Sequence, residues 1–443
     1  MRRRALVPGL LAAGVVVVSI ALTGLAPQLD SDVSASPSDV AQASEGPGGE
    51  ATVDPAPTPR PPLGGNELYG FLPYWQMTDA VANHLRTTPV TTLALFSVTS
   101  RRSGELNDRP QGYRRITGAI GRRLIREAHD RGARVELVFT SFGATRNGRL
   151  FGRLDVQPAV DGSPVSSAGA GSSGGLGASG GLDPGATAAP APWRRTVEEL
   201  VDLAADLGVD GINVDVEQLD PADREAYHEF LAVLRAKLRD RIAKAEVSVA
   251  TEAGERGIGN AAVAASAGVD RLFLMGYDYH WSGSPPGASS PVDRADGVPT
   301  LRWSIGRYVE AGVPREKMLL GLPLYGMTWR TLGPGRSFPV IGNGIAWLPH
   351  QNLDTLSDPA FAPTRDDLEL AEWFVEEDGD EWLLTYYDSP ETLRPKLALA
   401  RDQGLAGGGF WALGYDRGLP GYGKLMRDFV AGDVKRDEAP PLP

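Results

Sequence analysis

The chain has 443 residues, a net charge of −12, 42% hydrophobic residues and no cysteine. The acidic balance argues against nucleic acid or a polybasic membrane surface as partner. The missing cysteine excludes a disulfide framework, a thiolate metal site and a cysteine nucleophile, and the apolar share is enough for a sizeable core.

Arg2, Arg3 and Arg4 precede an apolar run from Ala5 to Ala26. That is the layout of a signal peptide or membrane anchor, so residues 1–26 imply work outside the cytoplasm. Its length is close to the roughly 20 residues that span a bilayer, which favours an uncleaved anchor slightly over a secreted protein, although Val33-Ser34-Ala35 offers a cleavage site. This segment is the one expected membrane contact. Residues 27–66 are rich in Pro, Ser and Gly and read as a disordered linker.

The globular part is expected at residues 67–433. Strand candidates in chain order are Leu68–Pro73, Thr92–Ser97, Arg134–Thr140, Gly211–Val216, Glu246–Thr251, Arg271–Tyr277, Met318–Leu324 and Ala406–Trp411. Helices fall between them. Ile120–Arg131 is one, and Thr196–Leu207 opens with the capping-box pattern Thr196-Val197-Glu198-Glu199. Asp220-Pro221 starts a helix running to about Arg241, and Leu301–Ala311 and Pro390–Gln403 follow. Strands alternating with helices predict an α/β fold, most simply a (β/α)8 TIM barrel. Residues 157–192, dominated by Gly, Ser and Ala, read as a flexible loop. Residues 326–384 are too many for one crossover and predict a small α+β insertion after strand 7, with strand-like pieces at Arg336–Ile341 and Trp382–Tyr387. Residues 434–443 form a polar tail.

The most telling stretch is Asp210-Gly211-Ile212-Asn213-Val214-Asp215-Val216-Glu217. In a strand, Asn213, Asp215 and Glu217 share one face and Ile212, Val214 and Val216 the other. An apolar strand with two acids and an amide on one face is costly unless that face does chemistry. Active sites of such barrels lie at the C-terminal ends of the strands. Glu217 ends the fourth strand, Asp278 the sixth and Trp411 the eighth, so these groups are expected over one mouth. The five histidines show no metal-ligand spacing, and neither a metal nor a cofactor is expected. Gly407-Gly408-Gly409 lacks the Lys-Ser/Thr of a phosphate loop.

Taken together these motifs resemble glycoside hydrolase family 18. The family's fourth-strand pattern is Asp-x-x-Asp-x-Asp-x-Glu, and Asp210 to Glu217 matches it except at Asn213. Met275-Gly276-Tyr277-Asp278 is similar to its sixth-strand motif, Gly70-Phe71-Leu72-Pro73-Tyr74-Trp75 to its first strand and Gly407–Trp411 to its eighth. Asn213 and Tyr277-Asp278-Tyr279-His280-Trp281 resemble the spore-cortex, peptidoglycan-directed branch, and Asn213 also the chitobiase-like one.

The resemblance implies a chitinase-like hydrolase acting on β-1,4-linked N-acetylglucosamine glycans: chitin, chito-oligosaccharides or peptidoglycan. Catalysis would be retaining and substrate-assisted, the substrate's own 2-acetamido group replacing a protein nucleophile. Glu217 is then the proton donor and Asp215 the partner of the acetamido N–H. Tyr277 and Asp278 hold its carbonyl, and Asp210 is a structural acid. Substrate contacts are assigned to Asn213, Trp411, Tyr74, Trp75, Trp281 and Trp329. Asn213 is expected to hydrogen-bond Asp215 and leave it ionised throughout. A monomer with a polysaccharide or oligosaccharide substrate is expected; the alternative is a lectin-like, inactive member of the fold.

Overall fold

The computed structural model describes residues 66–153 and 191–434. The expectations for the N-terminal segment and the linker up to residue 65, for the loop up to residue 190 and for the tail from residue 435 lie outside the described residues.

Eight strands carry the barrel: β1 (Glu67–Pro73), β2 (Thr92–Thr99), β3 (Arg134–Phe142), β4 (Gly211–Glu217), β5 (Glu246–Glu252), β6 (Arg271–Met275), β7 (Met318–Pro323) and, after an insertion, β13 (Gly407–Trp411). They close in the order β1-β13-β7-β6-β5-β4-β3-β2, and every neighbouring pair is parallel. Outward residues such as Ile212 and Val214 are buried, so both faces of each strand are covered, as a parallel sheet needs. Gly407 and Gly409 let β13 approach β1: a Cβ there would stand 2.1 Å from the Glu67 carbonyl oxygen and 2.5 Å from that of Tyr69. Among the described residues no helix is long and apolar enough to cross a membrane.

The insertion is a five-stranded antiparallel sheet. Its strands are β8 (Gly326–Thr331), β9 (Val340–Trp347), β10 (Thr364–Asp366), β11 (Ala371–Asp378) and β12 (Glu381–Tyr387), in the order β10-β11-β12-β8-β9. Trp382–Tyr387 falls on β12 as expected. The piece Arg336–Ile341 is mostly loop, since β9 begins only at Val340. Met327, Trp329, Ala371, Leu384 and Tyr386 form the sheet's own core together with Ala288 from the loop after β6. A buried ion pair anchors the chain where it returns to the barrel. Lys396 Nζ lies 2.5 Å from Asp388 Oδ1 and donates to Ser290 Oγ at 2.8 Å, and Ser290 donates to Asp388 Oδ2 at 2.6 Å.

Two local expectations are corrected. The capping box at Thr196 does not form, because that helix begins at Trp193. Thr196 Oγ1 instead donates to the Gly104 carbonyl at 2.7 Å, and Glu199 accepts the Leu106 N–H at 2.6 Å. Both groups tie the helix to the loop after β2, so tertiary partners outcompete the local cap. The sixth strand ends at Met275, not Tyr277, because the Gly276 N–H turns back onto the Leu274 carbonyl at 2.8 Å. Tyr277 and Asp278 are therefore loop residues, and Asp278 has a left-handed φ of 60°.

Candidate active site

Alternation along β4 directs Asn213, Asp215 and Glu217 into the barrel. The register sets Asn213 beside Ser248 and Asp215 beside Ala250 of β5. The three side chains end at different depths, and depth separates their roles.

Asn213 lies lowest, with 0% exposure. Its Nδ2 donates to Ser248 Oγ at 2.8 Å, and Ser248 donates to Glu136 Oε2 at 2.5 Å. Tyr69 donates to the same Glu136 oxygen at 2.6 Å. Glu136, Ser248 and Tyr69 are all buried, and burial pushes the Glu136 carboxyl up to about 7. Two expectations for Asn213 fail here. A side chain without accessible surface cannot touch substrate, and its amide donates to Ser248, with Asp215 Oδ1 left unpartnered. Asn213 Oδ1 and Asp215 Oδ1 are both buried without a hydrogen-bond partner.

Asp215 and Glu217 stand above this layer. Burial, followed by the charge of Glu252, pushes Asp215 up to about 8. Glu217 is pushed well above the usual carboxylate range by burial, then by Asp215, Glu252 and Asp278. Desolvation and a like charge both raise the proton affinity of Asp215 in the free protein, which runs against the expectation that it stays ionised throughout. The two acids titrate as a pair.

Past β6, the Asp278 N–H donates to Ser289 Oγ at 3.0 Å, and Tyr325 donates its hydroxyl proton to Asp278 Oδ1 at 2.5 Å. Burial lifts Asp278 to about 6 despite these bonds. Tyr277 meets Tyr325 edge to face at 6.2 Å. Trp411, 7% exposed at the tip of β13, packs against Phe96 at 4.7 Å, Phe71 at 5.7 Å and Trp75 at 6.3 Å. Trp75 donates its indole N–H to the Tyr415 hydroxyl at 3.0 Å. It meets the half-buried Tyr74 edge to face at 5.0 Å. Trp281 is half-buried on the loop after β6.

Trp329 is the further correction. It is 0% exposed in the core of the inserted sheet, so it packs there and does not line the cleft. Asp210 sits at the opposite end of β4, where its Oδ2 accepts the Val135 N–H at 2.8 Å and lies 2.8 Å from His129 Nε2. Sequence reasoning missed Glu136, Glu252 and Tyr325. Glu252, which ends β5, and Tyr325, just past the end of β7, each left a signal in their place at a strand tip. Among the described residues no group of three His, Asp or Glu side chains is placed to hold a metal ion.

The chain matches Glycosyl hydrolases family 18 over residues 172–416, more than half its length. It is 28% identical over 262 residues to Endochitinase 1 of Metarhizium robertsii, covering 54% of this chain and 59% of that protein. It is 26% identical over 228 residues to the cortical fragment-lytic enzyme of Bacillus anthracis, covering 49% of each. The chain spans about a third to three fifths of the curated relatives it matches first. The fold is similar to that of the family 18 chitinase of Cycas revoluta in complex with (GlcNAc)3. There the TM-score is 0.62 at 18% identity, over 83% of this chain and 99% of the other.

Proposed function

The chain belongs to glycosyl hydrolases family 18, and we propose that it hydrolyses β-1,4-linked N-acetylglucosamine glycans with retention, using the substrate's acetamido group. The observation that carries this reading is the Asp215–Glu217 pair. Both acids face one mouth from one strand, and both hold protons more tightly than ordinary carboxylates. A general acid must be protonated near the working pH, and burial with the neighbouring acids raises the proton affinity of Glu217 in that direction. Asp215 is too close along the strand to attack the sugar from its far side, which leaves the nucleophile to the substrate.

In this mechanism Glu217 gives its proton to the leaving glycosidic oxygen as the acetamido oxygen closes on the anomeric carbon. Asp215, which keeps 4% of its surface exposed to the mouth, accepts the acetamido N–H and as a carboxylate offsets the charge that develops on the ring. Tyr277 and the Asp278–Tyr325 pair hold the acetamido carbonyl end, and Trp411 floors the sugar. Positioning an internal nucleophile can supply roughly 7–11 kcal/mol of the barrier. Water then opens the cyclic intermediate, with Glu217 acting as base.

Peptidoglycan glycan or chito-oligosaccharide is the substrate this reading favours over polymeric chitin, because the motif departs at Asn213. Arg2–Arg4 and the apolar run Ala5–Ala26 are the sequence feature that supports reading it as an enzyme working outside the cytoplasm, anchored or secreted. The test is product analysis with the full chain on chito-oligosaccharides and on purified peptidoglycan, with Glu217→Gln as control. Cleavage lost in the variant supports the reading. Binding of either glycan without cleavage by the native protein would instead make it a sugar-binding member of the fold.

A further inference from the structure

A third carboxylate belongs to this mouth. Ser248 points into the barrel, where it meets Tyr69 and Asn213, so alternation sends Glu252, four residues on, to the same face. Asp215 lies beside Ala250 in the register. One further inward step on each strand sets Glu217 beside Glu252.

Glu252 is held from two sides. Its carbonyl accepts the Tyr308 hydroxyl at 2.6 Å, and its Oε1 accepts the backbone N–H of Gln218 at 2.8 Å. Gln218 directly follows Glu217 and has a left-handed φ of 57°, a conformation costly for a residue with a side chain unless its surroundings enforce it. The bond to Glu252 is an enforcing contact. The second oxygen, Oε2, is buried with no hydrogen-bond partner. The groups whose electrostatics it enters are Asp215 and Glu217 from β4, Tyr227 from the helix Arg224–Arg241 and Tyr308 from the helix Leu301–Glu310. The charge of Glu252 raises the proton affinity of Asp215, Glu217, Tyr227 and Tyr308.

We propose that Glu252 is a positioning residue for Glu217. One oxygen fixes the turn that β4 takes after Glu217, and the other, buried and unpartnered, acts on the Asp215–Glu217 pair. The free oxygen, which a mere strut would not need, keeps the proton on the donor. This rests on the reading of Glu217 as proton donor.

The experiment uses the full chain with Glu252→Gln and Glu252→Ala, and pH–rate profiles of kcat/KM on a chito-oligosaccharide. The Gln side chain still accepts the Gln218 N–H but carries no charge. It moves the alkaline limb, set by loss of the Glu217 proton, about one pH unit lower. The Ala variant also releases the turn and loses kcat by about tenfold or more. A Gln profile that overlays the native one overturns the proposal.

If the native protein cleaves no glycan, the proposed function fails by itself. Glu252 is then read from thermal unfolding between pH 4 and 9. Removing its charge lets the pair ionise more easily in the folded state, so the Gln variant gains Tm on the native protein as pH rises. A difference that stays constant with pH overturns the proposal.

Discussion

Asn213→Asp puts a second acid into the buried layer beneath Asp215. Asn213 donates to Ser248 Oγ, whose own proton goes to Glu136. A carboxylate at 213 would face that oxygen with no donor left for it, within one hydroxyl of another buried acid. Glu136 calibrates the cost, since burial raises it from 4.5 to about 7 in the same pocket, equivalent to about 3 kcal/mol at 1.36 kcal/mol per pH unit. A folded-state pKa raised in this way leaves the native state holding a proton that the unfolded chain has released. The penalty is therefore absent below the unfolded value near 4, grows between about pH 4 and 7, and is fully present above that. Denaturant unfolding of both proteins at pH 4, 6 and 8 measures it. Asn213→Asp should match the native protein at pH 4 and lose about 3 kcal/mol at pH 8. A loss that does not change with pH, or stability kept at pH 8, would refute the account of the Glu136–Ser248–Asn213 layer.

Three further outcomes are expected. Glu217→Gln keeps glycan binding, measured by calorimetry, and loses turnover by about 10²–10⁴. Lys396→Met strips the partner from Asp388 in a site where Lys396 is 0% exposed, and denaturant unfolding should show a loss of about 3–5 kcal/mol. Trp329→Ala opens a cavity in the core of the inserted sheet, worth about 3–5 kcal/mol locally. It should speed proteolysis within residues 326–387 while leaving KM on the folded protein unchanged; a raised KM with native protease resistance would return Trp329 to the cleft.

The barrel was legible because each strand is a short apolar run with its own local signal, and the octapeptide 210–217 carries its chemistry in a period-2 pattern. Helices with strong pattern, such as Arg224–Arg241, were legible for the same reason. The short helices Asp79–Leu85 and Ala144–Leu150, and the small-residue helix Glu255–Ser266, were not, since their apolar faces are too narrow or weak to stand out. Trp329 was misread because an aromatic near a motif gives no sign of which layer will bury it.

The sequence alone determined that Asn213, Asp215 and Glu217 share a face, and that Tyr277-Asp278 and Trp411 fall at or just past the C-terminal ends of two further strands, because alternation and element order are properties of the chain. Only the tertiary structure decided which groups surround them. Ser248 meets Asn213 from β5 and Glu136 meets Ser248 from β3, Glu252 reaches Gln218 from β5, and Tyr325 reaches Asp278 from beyond β7. Closing the barrel brings together carboxylates far apart in sequence and removes them from water. Their proton affinities follow from that shared desolvation and mutual charge, which no local pattern encodes.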